Sequence, residues 1–103
     1  MEITVEELAA KLATPAPPHL LDVREPEEFA LTRLEGAQLI PLGELQSRVD
    51  EIPEGGELVV YCHHGIRSLQ AVGWLLAKGR SAVSLKGGID AWSRRIDPNV
   101  PRY

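Results

Sequence analysis

Leu58-Val59-Val60-Tyr61-Cys62-His63-His64-Gly65-Ile66-Arg67-Ser68 is the stretch on which the reading of this chain turns. Its first four residues are an unbroken apolar run, the pattern of a strand covered on both faces. Residues Cys62 to Arg67 carry no apolar periodicity. From Ser68 onward Leu69, Val72, Leu75 and Leu76 recur at helical spacing until Gly79, which sits where a helix ends with a C′ glycine. The spacing therefore predicts strand, loop and helix in succession, with the chain's one cysteine at the junction of strand and loop.

Toward the amino terminus, Thr4 and Glu7 make a capping box for a helix from Val5 to Ala13, its apolar face formed by Val5, Leu8, Ala9 and Leu12. Pro15, Pro17 and Pro18 stop it. Leu20 to Val23 reads as a strand, and Pro26 among Glu25, Glu27 and Glu28 opens a short helix to about Leu31, with acids favouring its N-terminal dipole. Ala37 to Ile40 is a second strand. Leu42, Leu45 and Val49 mark a third helix, closed by Pro53-Glu54-Gly55-Gly56. On the other side of the central stretch, Ala82 to Leu85 reads as a strand and Gly87-Gly88 as a tight turn. Ile89, Trp92 and Ile96 form a last helical face before the tail from Pro98 to Tyr103. Such alternation predicts an α/β fold: a small, mostly parallel sheet of about five strands flanked by helices on both faces. Ligands of such sheets bind beyond the carboxyl ends of strands, and the Tyr61-to-Ser68 connection lies at such an end.

Composition sets outer bounds. The 103 residues suit one domain spanning 1–103, and 44% apolar with 25% charged residues describes a soluble globular chain with a core of its own. A lone cysteine excludes an internal disulfide and favours a reduced, cytoplasmic setting. No apolar run approaches the ~20 residues that cross a bilayer, and no secretory signal opens the sequence, so neither a membrane nor export is expected. Eleven Lys and Arg against fifteen Asp and Glu give a net charge of −4, which argues against nucleic-acid binding by phosphate neutralisation. An anionic ligand must then rely on local fields.

Those fields concentrate at Cys62-His63-His64-Gly65-Ile66-Arg67-Ser68. A thiol after a buried strand and before a helix meets unpaired first-turn N–H groups and the positive end of the dipole, both of which favour thiolate. Gly65 gives the loop the φ freedom to curl its amides inward as an anion nest. Arg67, with four residues between it and Cys62, offers a fork of donors for an oxyanion. His63, His64, Gly65, Ile66, Arg67 and Ser68 are thus the expected substrate-binding set around a catalytic Cys62, with one histidine lining the pocket and the other facing water. Adjacent histidines do not readily converge on one ion, so no metal is expected. Asp22 and Arg24, just past a strand, are read as a structural pair near the site. Trp74 and Trp92 are read as core or near-core packing, and Lys86, Arg94, Arg95 and Arg102 as a solvated basic cluster.

Four segments, in order, are similar to the rhodanese family of sulfurtransferase domains. They are Leu21-Asp22-Val23-Arg24-Glu25 with Glu28-Phe29, then Leu34-Glu35-Gly36-Ala37 leading to Ile40-Pro41, then the Cys62 loop, then Leu85-Lys86-Gly87-Gly88-Ile89-Asp90-Ala91-Trp92. Arg33 departs from the family, which often has a histidine there. The tail Asp97 to Tyr103 resembles the end of single-domain rhodaneses and of rhodanese modules fused to enzymes that activate ubiquitin-like sulfur carriers. The resemblance implies that Cys62 takes a sulfane sulfur from a donor such as thiosulfate, holds it as a persulfide, and passes it to cyanide, a thiol or an acceptor protein, without a cofactor. Two other readings compete. Cysteine phosphatases and arsenate reductases also use a thiolate and an arginine, but with five residues between them, and the shorter loop here makes a cup too small for a tetrahedral phosphate or arsenate. A non-catalytic interaction module of the same fold would not need Cys62 and Arg67 together.

Overall fold

The computed structural model describes residues 1–103. Strands β1 (Glu2–Ile3), β2 (His19–Asp22), β3 (Gln38–Leu39), β4 (Leu58–Tyr61) and β5 (Val83–Leu85) form one sheet in the order β1-β5-β4-β2-β3, and every pairing is parallel. The helices are α1 (Val5–Leu12), α2 (Pro26–Leu31), α3 (Leu45–Arg48), α4 (Ile66–Ala77) and α5 (Gly88–Arg95).

The central position of β4 follows from its composition. Successive side chains of a strand point to opposite faces, so an unbroken apolar run needs cover on both. Leu58, Val60 and Cys62 pack with Leu45 of α3 and Ala71, Val72 and Leu75 of α4. Val59 and Tyr61 pack on the opposite face with Val5 and Leu8 of α1 and Ile89 and Ala91 of α5. Val59 and Val60 are completely buried, each worth about 1.5 to 3 kcal/mol over leaving it in water. Trp74 and Trp92 lie against these two clusters, half-buried.

Local chemistry sets the element ends. Thr4 and Glu7 form the reciprocal capping box, with the Thr4 hydroxyl accepting from the Glu7 amide at 3.1 Å and Glu7 accepting from the Thr4 amide at 2.8 Å. α4 closes in a Schellman arrangement, the Gly79 amide donating to Leu76 and the Arg80 amide to Leu75. Three departures from the sequence reading stand out. Strand β1 has two residues, too few for a periodicity, yet Ser84 and Lys86 donate to the carbonyls of Met1 and Ile3. The third helix is one α-turn between two 3₁₀ turns, Leu42–Glu44 and Val49–Glu51. And α4 starts at Ile66, three residues before the apolar stripe begins at Leu69, which brings its first turn up against the cysteine.

Where β2 ends, Asp22 and Arg24 are both fully buried and bound to each other. Arg24 Nε donates to both Asp22 oxygens at 2.9 and 3.1 Å, and Nη2 reaches Asp22 Oδ2 and the Thr32 carbonyl at 2.6 Å each. Burial opposes the charge, but the bonds to Asp22 and Tyr103 outweigh it and hold Arg24 above its ordinary pKa. Removing one member of such a pair strands the other charge in the interior. Asp22→Asn is expected to cost about 3 to 5 kcal/mol, read as a fall in the urea midpoint; a midpoint within error of the parent would show that the pair is not holding this corner.

Candidate active site

Cys62 follows β4 directly and is 1% exposed. Two amides aim at its sulfur: Gly65 N–H at 3.1 Å and Ser68 N–H at 3.4 Å. Both belong to the cap and first turn of α4, where amides have no acceptor within the helix. Gly65 makes the turn with φ at +106°, and a β-carbon there would press on the Gly87 amide. The sulfur also meets the Ser68 hydroxyl at 3.5 Å, which in turn lies 2.7 Å from the Ser84 hydroxyl. Ser68 and Ser84 are both fully buried.

A second helix holds the loop from behind. The Ile89 amide donates to the Cys62 carbonyl at 2.9 Å and the Asp90 amide to the His63 carbonyl at 3.1 Å, so the first turn of α5 binds the loop's backbone. This close approach needs Gly88, since a β-carbon there would collide with both carbonyl oxygens.

Arg67 does not stand open over the sulfur. Its fork closes on Glu28 of α2, Nη1 to Oε1 at 2.7 Å and Nη2 to Oε2 at 2.9 Å. Glu28 Oε1 also accepts from the Glu25 amide at 2.9 Å, and Oε2 from the Tyr103 hydroxyl at 2.6 Å. Arg24 Nη1 then donates to the Tyr103 hydroxyl at 2.9 Å. The Arg67 fork, joined by Tyr103 and the Glu25 amide, brings the Glu28 carboxyl down to about 2 against the opposing effect of burial.

Of the two histidines, His63 is half-buried and His64 faces water. The His63 ring lies flat on Tyr103, with centroids 3.9 Å apart and planes 8° from parallel. Burial, reinforced by His64, holds its pKa below the ordinary value. The His64 side chain is 60% exposed, near Asp90. His63, His64 and Asp90 each place a ligand atom within 4.8 Å of the others, closer than adjacency in sequence suggests. Both oxygens of Asp90 are already engaged, Oδ2 by Arg94 at 2.9 Å and Oδ1 by Arg102 at 3.0 Å. Arg95 pairs with Glu6 on α1, so three of the four expected basic residues are ion-paired, two of them sharing the single Asp90 carboxylate.

Of the loop residues, Gly65 and Ser68 contact the Cys62 sulfur, His63 stacks on Tyr103, Arg67 closes on Glu28, and the side chains of His64 and Ile66 are largely exposed. Sequence reasoning missed three participants. Ser84 lies inside an apolar run, Glu28 reads as a helix-start acid, and Tyr103 is far from the loop in the chain. Only the placement of Glu28 in a motif segment hinted at a role.

The depressed Glu28 carboxyl has a sign that can be tested. Its folded value lies below the unfolded one near 4.5, so its contribution to stability is complete above that value and is lost as pH falls toward 2. The stability gap between the parent and Glu28→Gln, taken from urea unfolding at a series of pH values, should shrink across this window. A gap that stays constant from pH 6 to the acid limit at about 2 would contradict the pairing.

Comparison with known proteins places these features in a wider group. The family described as Rhodanese-like domain matches residues 4–95. A protein of Allochromatium vinosum named sulfurtransferase is 38% identical over 100 residues, covering 96% of this chain and 94% of that one. MoeZ of Mycobacterium tuberculosis, named a probable adenylyltransferase/sulfurtransferase, is 38% identical over 87 residues; the match takes 82% of this chain and only 22% of MoeZ. Among solved structures, a rhodanese-like domain protein from Staphylococcus aureus superposes with a TM-score of 0.86 at 31% identity, covering 99% of this chain and 97% of that one. With only Met1–Ile3 and Ile96–Tyr103 outside the family match, this chain belongs to the rhodanese-like domain family.

Proposed function

We propose that the chain is a sulfurtransferase in which Cys62 carries a sulfane sulfur as a persulfide. Relatives named sulfurtransferase support the class of reaction. The observation that carries the assignment to Cys62 is the convergence of the Gly65 and Ser68 amides on its sulfur, an arrangement that favours negative charge there.

The chemistry takes two displacements. The Cys62 thiolate attacks the outer sulfur of the donor, the donor's bond to that sulfur breaks, and the leaving group, sulfite in the case of thiosulfate, departs with the electron pair. A thiophilic acceptor then attacks the outer sulfur of the Cys62 persulfide, and Cys62 leaves as thiolate, its starting form. The fixed amides stabilise sulfur in every anionic stage without reorganising. Ile66 and Arg67 contribute the remaining first-turn amides of α4, which lack intrahelical acceptors and suit a persulfide one atom longer than the thiolate.

Cyanide, a thiol or an acceptor protein completes the cycle in this proposal, and the match to an adenylyltransferase/sulfurtransferase supports a sulfur-carrier protein as partner. The unpaired Cys62 supports a reducing compartment such as the cytoplasm. No helix is long and apolar enough to cross a membrane. We propose residues 1–103 as a single domain that works without a cofactor or nucleic acid.

Intact-protein mass spectrometry after incubation with sulfane donors provides the test. The parent should gain the mass of one sulfur atom on Cys62, and Cys62→Ser none. Ser68→Ala, which keeps the amide and removes the hydroxyl, should load more slowly, by on the order of tenfold, the effect of one hydrogen bond to a charged group. Sulfite release from thiosulfate by the Cys62→Ser protein would refute the proposal.

A further inference from the structure

Loading Cys62 from an anionic donor such as thiosulfate calls for a cation to receive the donor's sulfonate end. Arg67 is the cation on the loop itself, and its two terminal nitrogens are already paired bidentately with Glu28. The carboxylate is held on all sides. Oε1 accepts from Arg67 and the Glu25 amide, and Oε2 from Arg67 and the Tyr103 hydroxyl. Tyr103 is fixed in turn by Arg24, and Arg24 by the buried Asp22. Charges thus alternate from the sheet's interior to the loop, Asp22, Arg24, Glu28, Arg67, and they sum to zero. The cationic surplus nearby is on the His64 side, where two arginines share Asp90.

We infer that Glu28, braced by Tyr103, occupies the place an anionic donor would take on Arg67, and so directs this site toward sulfane sulfur carried on a thiol, R–S–SH, in preference to dianionic thiosulfonate-type donors. The inference rests on the sulfurtransferase reading and narrows its substrate class. Glu28 takes two of the five N–H donors of Arg67, so a dianion either displaces a carboxylate that is itself hydrogen-bonded or reaches the remaining donors against that carboxylate's charge. A persulfide needs only the amide cradle. In that transfer the Cys62 thiolate attacks the outer sulfur of R–S–SH and the S–S bond breaks. RS⁻ leaves with the electron pair, and Cys62 becomes Cys–S–SH. Atoms and charge balance without an added oxidant or reductant.

Rates of Cys62 loading, followed by intact mass with thiosulfate and with cysteine persulfide, test the inference. The parent should load faster from the persulfide. Glu28→Gln keeps the shape and removes the charge, so the ratio of thiosulfate to persulfide efficiency should rise about fivefold, the worth of a partly exposed ion pair. Tyr103→Phe keeps the carboxylate and the aromatic ring but removes one of the two donors to Oε2, and should move the ratio the same way by less. Should Glu28→Gln fail to fold, the ratio read on Tyr103→Phe decides. A parent that loads from thiosulfate at least as fast as from persulfide, or a folded variant whose ratio stays level or falls, overturns the donor preference and leaves sulfur transfer standing. Absence of loading from either donor overturns both.

Discussion

Two helix N-termini meet at one loop, and the rest of the site depends on that meeting. The first turn of α4 turns amides toward the Cys62 sulfur, while the first turn of α5 binds the carbonyls of Cys62 and His63 from behind. Backbone donors thus serve the loop on both sides, one set fixing its path and the other leaving a field for a charge. Both helices need glycine at the contact, Gly65 for the turn into α4 and Gly88 for the close approach of α5. The parallel sheet makes the meeting possible, because neighbouring strands β4 and β5 run the same way and deliver both helix starts to one edge.

Side chains add a second, longer-range constraint. Asp22 and Arg24 form an ion pair at the end of β2 that is expensive to bury alone and is stabilised by the number of its hydrogen bonds. Through Tyr103 this pair is connected to Glu28 and Arg67, so the orientation of a loop side chain is set partly by residues in the interior. Tyr103 also stacks on His63 and so touches the loop at two points.

The parts of this architecture that were legible in the sequence are those written in local pattern. The apolar run of β4, the stripe of α4, the capping box at Thr4 and the proline at the start of α2 each express a period or a cap that a few neighbouring residues determine. Cys62 and the loop around it were legible for the same reason. Strand β1 was not, because two residues show no period and its bonds come from β5, some eighty positions away. The stretch 42–51 carries apolar residues at helical intervals yet breaks into three short turns, since interval alone does not fix whether a turn closes on the third or the fourth residue. The closing of Arg67 on Glu28 and the arrival of Tyr103 depend on tertiary placement, which no local signal encodes. Ile66 shows what the letters do not separate: its side chain faces water, while its amide lies in the first turn of α4 with no acceptor in the helix.

The paired hydroxyls of Ser68 and Ser84 have a consequence for the cost of changing charge at sulfur. Either oxygen of the pair can supply the shared proton. With a neutral thiol, Ser68 receives the sulfur's proton; with an ionised one, Ser68 can swing its own hydrogen toward sulfur while Ser84 donates into the oxygen thus freed. Only two C–O bonds rotate. Both arrangements use one heavy-atom frame, so the hydroxyl pair can face sulfur as acceptor or as donor without disturbing the close packing of the interior around it.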